Sequence, residues 1–298
     1  MTPVAPAESR KMAAVGMFDG VHRGHRSLIS ELRQQARLRG LEPVAFTFTA
    51  HPMAVIAPQK CPPMLSSAEE RCAMLREAGA AEATALDFAA IRGLTAAGFM
   101  AMLHDTYSVD ALLMGFNNHI GSDRLTTPEE YRQAGAEAAV EVLFAEEYRG
   151  EGAPCSSSVI RTDIAAGNVD DAAIRLGRPY TVSGEVVGGR QLGRTIGFPT
   201  ANLLSRQELL PANGVYAADT EVDGHTYRTI VNIGHRPTVD IAGAPVSIEA
   251  HLIGYSGDLY GHTLHLDMLR RLRDERRFGS VDALAAQLRA DAACALGI

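Results

Sequence analysis

Two histidines flank a glycine in GMFDGVHRGH, residues 16–25, where an apolar run gives way to helical spacing. Paired imidazoles at such a junction can donate hydrogen bonds to a phosphate that gains charge in a transition state. Gly24 would let the backbone approach a nucleotide, and a helix start adds free N–H groups and the positive end of its dipole. This combination suits nucleotidylyl transfer, in which a nucleophilic phosphate attacks the α-phosphorus of ATP with no covalent enzyme intermediate. A second constellation is GGRQLGRTIGFPTAN, residues 188–202. Gly188, Gly189, Gly193 and Gly197 permit a loop whose N–H groups wrap phosphates. Thr200 and Asn202, two apart after Pro199, point to one side of an extended chain and offer a hydroxyl and an amide oxygen to Mg²⁺ held jointly with ATP. Glu249, a lone acid in the apolar run VSIEAHL (residues 246–252), has the chemistry of a general base for a hydroxyl acceptor.

The elements that must position these groups are legible as two textures. Residues 12–18 form an apolar run. Residues 24–39 follow with Leu28, Ile29, Leu32 and Leu38 near helical spacing, and residues 43–49 are β-rich. This strand, helix, strand unit favours a parallel sheet with a right-handed crossover. Apolar segments at 83–88, 111–114 and 140–144, separated by helical stretches at 68–78 and 128–135, extend an open α/β sheet over about residues 10–160. From residue 180 the chain turns to short β-branched runs punctuated by glycine, at 180–187, 214–222, 227–233, 246–253 and 263–269, which predicts an antiparallel barrel or sandwich. Residues 168–176 read as a short connecting helix. Residues 280–295 read as an amphipathic helix with Val281, Leu284, Leu288 and Ala292 on one face. Two domains are expected, residues 1–165 and 166–298.

Composition excludes several classes. Net charge is -7, and residues 1–165 carry 15 basic and 20 acidic side chains against 13 and 15 in the remainder, so neither half has the basic stripe of a nucleic-acid surface. The lysines are Lys11 and Lys60, so a P-loop is impossible beyond residue 60. Cys61, Cys72, Cys155 and Cys294 form no CxxC pair and read as reduced intracellular thiols. No stretch approaches the roughly 20 apolar residues of a membrane span. A cytoplasmic protein without an obligate protein partner is expected.

Three motifs carry a specific resemblance: GMFDGVHRGH at 16–25, FTFTAHP at 46–52 and SSSVIR at 156–161. Together they resemble the adenylyltransferase module of bacterial bifunctional riboflavin kinase/FAD synthetases. GRPYTVSGEVVGGRQLGRTIGFPTANL at 177–203 matches the flavokinase signature of the same family, with VSIEAHL at 246–252 and LRDERRF at 272–278 in order behind it. The resemblance implies a Rossmann-like nucleotidyltransferase domain with a parallel sheet, then an antiparallel riboflavin kinase barrel with a C-terminal helix. It implies phosphorylation of riboflavin to FMN and adenylylation of FMN to FAD, with ATP as co-substrate and Mg²⁺ as cofactor. Gly16, Phe18, Asp19, Gly24, His22 and His25 would cradle ATP in the first half, His51 would stand on the nucleotide side, and Ser156, Ser157 and Arg161 would supply further phosphate contacts. In the second half Gly189, Arg194 and Gly197 belong to the phosphate loop, Thr200 and Asn202 carry the metal, Glu249 is the base for the riboflavin 5′-hydroxyl, and Arg273 and Phe278 lie on a segment that closes over flavin.

Two departures bear on the first half. The family pattern SS(S/T)-(R/K)-x-R has a basic residue where this chain has Val159, and the family's Gly-x-Asp-x-x-Phe-Gly loop reads GFNNHIG here, residues 115–121. Asn117 keeps the shape of an aspartate without its charge. Adenylylation slower than is usual for the family is therefore expected. Three readings follow: a bifunctional enzyme, a riboflavin kinase with a weakened adenylyltransferase domain that still binds nucleotide or flavin, and a non-catalytic flavin-binding regulator. Intact Thr200, Asn202 and Glu249 argue against the last.

Overall fold

The structure is a computed structural model that describes residues 9–148, 150, 155–188, 197–235 and 246–298. It divides into two compact units, Met1–Cys155 and Ser156–Ile298.

The first unit is an α/β sheet. Strand β1 (Lys11–Val15) leads into helix α1 (Arg23–Arg39) and strand β2 (Glu42–Phe48). Short α2 (Pro52–Ile56), a 3₁₀ turn, α3 (Ala68–Ala78), β3 (Glu82–Leu86), α4 (Phe88–Ile91), α5 (Ala96–Tyr107), β4 (Val109–Met114), α6 (Pro128–Glu137) and β5 (Glu141–Phe144) follow. Every pairing in the sheet is parallel and the order is β3-β2-β1-β4-β5. Both faces are covered. Ala13 and Val15 of β1 belong to one apolar cluster with Phe99, Leu103 and Leu112, while Met12 and Ala14 belong to the other with Ile29, Leu32 and Leu113. The strands read as apolar runs for that reason. The sequence direction reverses between β1 and β4, so the loops that leave these strands diverge and open a crevice at their carboxyl ends.

Three local expectations are corrected. β1 ends at Val15, before residue 18, because Phe18 takes a positive φ of 49° that no strand accommodates. The buried stripe of α1 is Ile29, Leu32 and Ala36, and Leu38 is 73% exposed, since a 3.6-residue period from residue 29 reaches 36 and passes over 38. Helix α5, which the sequence reading passed over, packs Phe99, Met100 and Leu103 into the core.

The second unit opens with α7 (Ser157–Ala166) and α8 (Val169–Leu176). Strands β6 (Tyr180–Val187), β7 (Ala201–Leu204), β8 (Gly214–Val222), β9 (His225–His235), β10 (Val246–Leu252) and β11 (Thr263–Arg273) close a barrel in the order β10-β7-β6-β11-β8-β9, all pairs antiparallel. Alternation along β6 and β10 sends Val182, Val186, Ile248 and Ala250 inward. Helix α9 (Val281–Leu296) lies over the outer face, with Ala292 and Ala295 on Val215, Ala217 and Ile230. The face expected of this helix is displaced: Ala285, Asp291 and Ala295 are buried, Leu284 and Leu288 are half-buried, and Val281 is 62% exposed. Strand β7 was expected as an extended chain, and it pairs as a full barrel strand with β6 and β10.

Candidate active sites

In the first unit the chain leaves β1 through a tight turn in which Phe18, Gly20 and Val21 have φ of 49°, 75° and 38°. Left-handed backbone at a non-glycine residue costs of order 1–3 kcal/mol, so neighbouring groups must hold it. Thr47 Oγ1 donates to Met17 O at 2.9 Å, and Gly20 N–H donates to Ser66 Oγ at 3.0 Å. Asp19, 1% exposed, accepts from the N–H groups of Leu65 at 3.1 Å and Ser66 at 3.2 Å and from Ser66 Oγ at 3.2 Å. Gly16 leaves room for the Phe18 ring, which a Cβ at position 16 would approach to 3.1 Å.

The turn delivers His22 as the N-cap of α1. Its Nδ1 accepts from His25 N–H at 3.4 Å, and the two imidazoles stack with centroids 3.6 Å apart and planes 19° from parallel. The Phe18 ring meets His25 edge-on at 5.2 Å. A Cβ on Gly24 would lie 3.2 Å from the His22 ring, so glycine lets that imidazole rest against the helix. Burial pushes His22 down to about 4, and burial followed by the proximity of His22 holds His25 well below the ordinary histidine range. Both rings are neutral at pH 7. Because Nδ1 of His22 is an acceptor, its ring proton sits on Nε2, which makes that atom a donor. Cys155 Sγ stands 3.5 Å from the same Nδ1, and His25 Nδ1 is buried without a hydrogen-bond partner among the described residues.

Beside the turn a cavity of about 440 Å³ is lined by Gly16, Phe48, His51, Phe88, Phe99 and Asn118, among others. His51 caps α2 by accepting from Met53 N–H at 3.1 Å and also lines this cavity, so it serves the turn and faces the site. Asn117 is exposed and is not among the residues that line this cavity. Its neighbour Asn118 is the residue that reaches in, with Nδ2 donating to Val15 O.

In the barrel, Glu249 on β10 stands opposite Asn202 on β7 and opposite Asn232 on β9. Directly opposed residues share a face of the sheet, so one row runs Asn202, Glu249, Asn232. Thr200, two residues before Asn202, lines a cavity of about 350 Å³ together with Asn232, Glu249, Arg273, Glu275 and Phe278, and Leu284 and Leu288 of α9 wall it on one side. His251, next along the same face, donates from its Nδ1 to Pro199 O at 2.8 Å and packs on Phe198 at 5.1 Å, which ties the PTAN segment to β10. Asn232 Nδ2 donates to Glu275 Oε1 at 3.2 Å. A Cβ on Gly234 would lie 1.9 Å from the same oxygen, so glycine clears space for that carboxylate.

Several expected contacts are redistributed. The Arg273 guanidinium is bound in two places to Asp291, Nε to Oδ1 at 3.0 Å and Nη2 to Oδ2 at 2.8 Å, and lies 5.8 Å over the Phe278 ring. It fastens α9 to β11 at the edge of the cavity. Ser156 caps α7 by accepting from Val159 N–H at 3.4 Å, and Ser157 and Arg161 lie on that helix in the second unit. Gly197 is exposed with φ of 80°, while Gly189 and Arg194 lie outside the described residues. Asn118, Asn232, Glu275 and Asp291 were missed by sequence reasoning. The signal for Glu275 was its place in LRDERRF.

A parallel sheet with stacked neutral histidines at its switch point, followed by a closed barrel with a threonine, asparagine and glutamate on one face, defines a two-domain enzyme acting at phosphorus. Residues 4–159 match the family model described as FAD synthetase, and residues 176–298 match that of riboflavin kinase. The chain is 34% identical over 286 residues to the bifunctional riboflavin kinase/FMN adenylyltransferase of Pseudomonas fluorescens, covering 95% of this chain and 91% of the relative. The protein of that description from Escherichia coli K12 is 35% identical over 280 residues, 93% and 89% of the two chains. That of Bacillus subtilis is 31% identical over 292 residues, 95% and 91% of the two. The chain belongs to the bifunctional riboflavin kinase/FMN adenylyltransferase family. Its fold is also that of a crystal structure described as a macrolide-efflux protein from Streptococcus pneumoniae, with TM-score 0.89, 32% identity and coverage of 98% of this chain and 95% of the other. Among the described residues no helix is long and apolar enough to cross a membrane.

Proposed function

We propose that the chain phosphorylates riboflavin to FMN with ATP in residues 166–298 and adenylylates FMN to FAD in residues 1–165, in the cytoplasm. The observation that carries the first step is that Glu249, directly paired across strands with Asn202, lines one cavity with Thr200. Glu249 takes the proton of the riboflavin 5′-hydroxyl as its oxygen attacks the γ-phosphorus, and the bond to the β-phosphate oxygen breaks to release ADP. Thr200 Oγ1 and Asn202 Oδ1 are uncharged oxygen donors, a set that fits a hard cation already neutralised by nucleotide phosphates. Bound there, Mg²⁺ would offset negative charge on the transferring phosphoryl group. Gly189, Arg194 and Gly197 would contact the ATP phosphates, and Phe278 would cover the flavin.

In the first unit a phosphate oxygen of FMN attacks the α-phosphorus of ATP and pyrophosphate leaves. Two neutral imidazoles suit this step: His22 Nε2–H and His25 donate to the oxygens that gain charge, without the solvation that a buried cation would demand. Asp19 and Gly24 shape the turn.

The test is chromatographic. With riboflavin, ATP and Mg²⁺ the parent protein forms FMN and then FAD. His25→Ala accumulates FMN and forms FAD only at a low residual rate. Glu249→Gln loses FMN formation by roughly 10²–10⁴-fold and still converts supplied FMN to FAD. A Glu249→Gln protein that makes FMN at the parental rate removes the base assignment, and a parent that makes no FAD removes the second activity.

A further inference from the structure

Arg71 of α3 is 1% exposed, and such complete burial of a guanidinium at a position outside the sequence motifs calls for a purpose. Its donors reach three oxygens on three segments. Nε donates to Thr47 Oγ1 at 3.3 Å, Nη1 to Ser66 O at 2.6 Å and Nη2 to Phe48 O at 2.5 Å. Each of these segments touches the turn at residues 16–22 or the cavity beside it. Thr47 passes the contact on to Met17 O at 2.9 Å. Ser66 receives Gly20 N–H on its hydroxyl and gives its own N–H and hydroxyl to Asp19. Phe48 lines the cavity with Gly16 and Met17. Asp19 is also the carboxylate whose charge acts on Arg71 most strongly.

We propose that Arg71 is a positioning residue for adenylyl transfer: through Thr47 and Ser66 its planar fork fixes the turn that sets the paired imidazoles of His22 and His25. The inference rests on the reading that FAD is made at this turn. A guanidinium is required because three acceptors in three directions match its fork, and an ammonium at the same place keeps the charge facing Asp19 without reaching all three. Loosening the turn displaces the imidazoles, and a misplacement near 1 Å lowers the rate roughly 100-fold. The second unit contains none of these residues, so FMN formation supplies an internal control.

The experiment uses the full-length protein and the variants Arg71→Lys, Thr47→Val, His25→Ala and Arg71→Lys combined with His25→Ala. FAD formation from FMN and ATP and FMN formation from riboflavin are measured on each, with thermal unfolding. The expected result for Arg71→Lys is a fall in kcat for FAD formation on the order of 100-fold, with FMN formation at the parental rate. Thr47→Val is expected to fall in the same direction by less. In the His25→Ala background, Arg71→Lys should lower the residual FAD rate by no more than about twofold, because its effect passes through the imidazoles. Full additivity of the two substitutions, or FAD formation by Arg71→Lys and Thr47→Val at the parental rate, overturns the inference while leaving the activity in place. A parent protein that forms no FAD overturns the functional reading and the inference together.

Discussion

Replacing Asp291 by asparagine tests how the C-terminal helix makes the cavity beside Glu249. Asp291 is 3% exposed and receives both Arg273 Nε and Nη2, with Gln287 Nε2 donating to the same carboxylate at 2.8 Å. The Arg273 side chain is only 13% exposed, so loss of its partner leaves a cation that water reaches poorly. Removing one member of such a buried pair costs about 3–5 kcal/mol. The amide oxygen of asparagine retains one of the two contacts, which places the expectation at the lower end, about 3 kcal/mol. For a unit of this size, that corresponds to a fall in Tm of roughly 10 °C.

The functional consequence follows from geometry. Leu284 and Leu288 of the same helix wall the cavity that holds Glu249 and Phe278. A loosened helix therefore raises KM for riboflavin more than it lowers kcat for its phosphorylation, because Asn202 and Glu249 are held by the barrel ladder and Thr200 directly precedes it. The transition of the second unit is identified in a thermal scan as the one that riboflavin shifts upward. Asp282→Asn, on the exposed first turn of the helix, is the control and should change stability by less than about 0.5 kcal/mol. An Asp291→Asn protein with the parental transition and the parental KM for riboflavin would refute the clamp.

Two further outcomes are expected. Folded His22 titrates at about 4 against 6.5 in the unfolded chain, so between these values the unfolded state holds more protons. The stability carried by neutral His22 is complete above pH 6.5 and drains away as pH falls toward 4, by about 3 kcal/mol in total. Thermal scans of the first unit from pH 7.5 to 4.5 should show that slope, and His22→Asn, which retains a capping side chain, should flatten it; identical slopes contradict the assignment. Asn118→Ala should destabilise the first unit by about 1–2 kcal/mol, since it leaves Val15 O without its donor, and should slow FAD formation. Asn117→Ala should change neither by more than measurement error, and the reverse order of effects would place the wrong asparagine in the site.

The architecture was legible because its signals are redundant. Apolar strands alternating with helices and a later change to glycine-punctuated β runs each repeat several times, so single errors such as the position of Leu38 or the omission of α5 do not alter the fold. The proposed reacting groups could be picked out for a different reason. His22, His25, Thr200, Asn202 and Glu249 sit in dense local motifs whose geometry is set within a few residues or by one strand pairing. What the motifs could not convey is which of their polar atoms face inward. Asp19 and Arg273 stand in the most recognisable segments of the chain, yet the first is occupied by the backbone at residues 65–66 and the second by Asp291 on the last helix. Both partners are remote in sequence, at positions with no motif of their own.

The same limit explains Asn117 and Asn118. A side chain in an extended segment changes face with each residue, so identity is readable from sequence while direction depends on where the strand stops and how the loop leaves it. β4 ends at Met114, Asn118 N–H closes a turn onto Gly115 O at 3.1 Å, and that closure turns the second asparagine toward β1 and the first toward solvent. In the barrel the pairing with β10 decides the matter in the opposite way: Asn202, opposite Glu249, must share its face, and the spacing of two in the PTAN segment carries Thr200 to that face as well. Chemistry placed on a ladder is therefore recoverable from sequence spacing. Chemistry placed on a loop is recoverable only once the buried contacts that close the loop are known, and at residues 16–22 those contacts converge on Arg71.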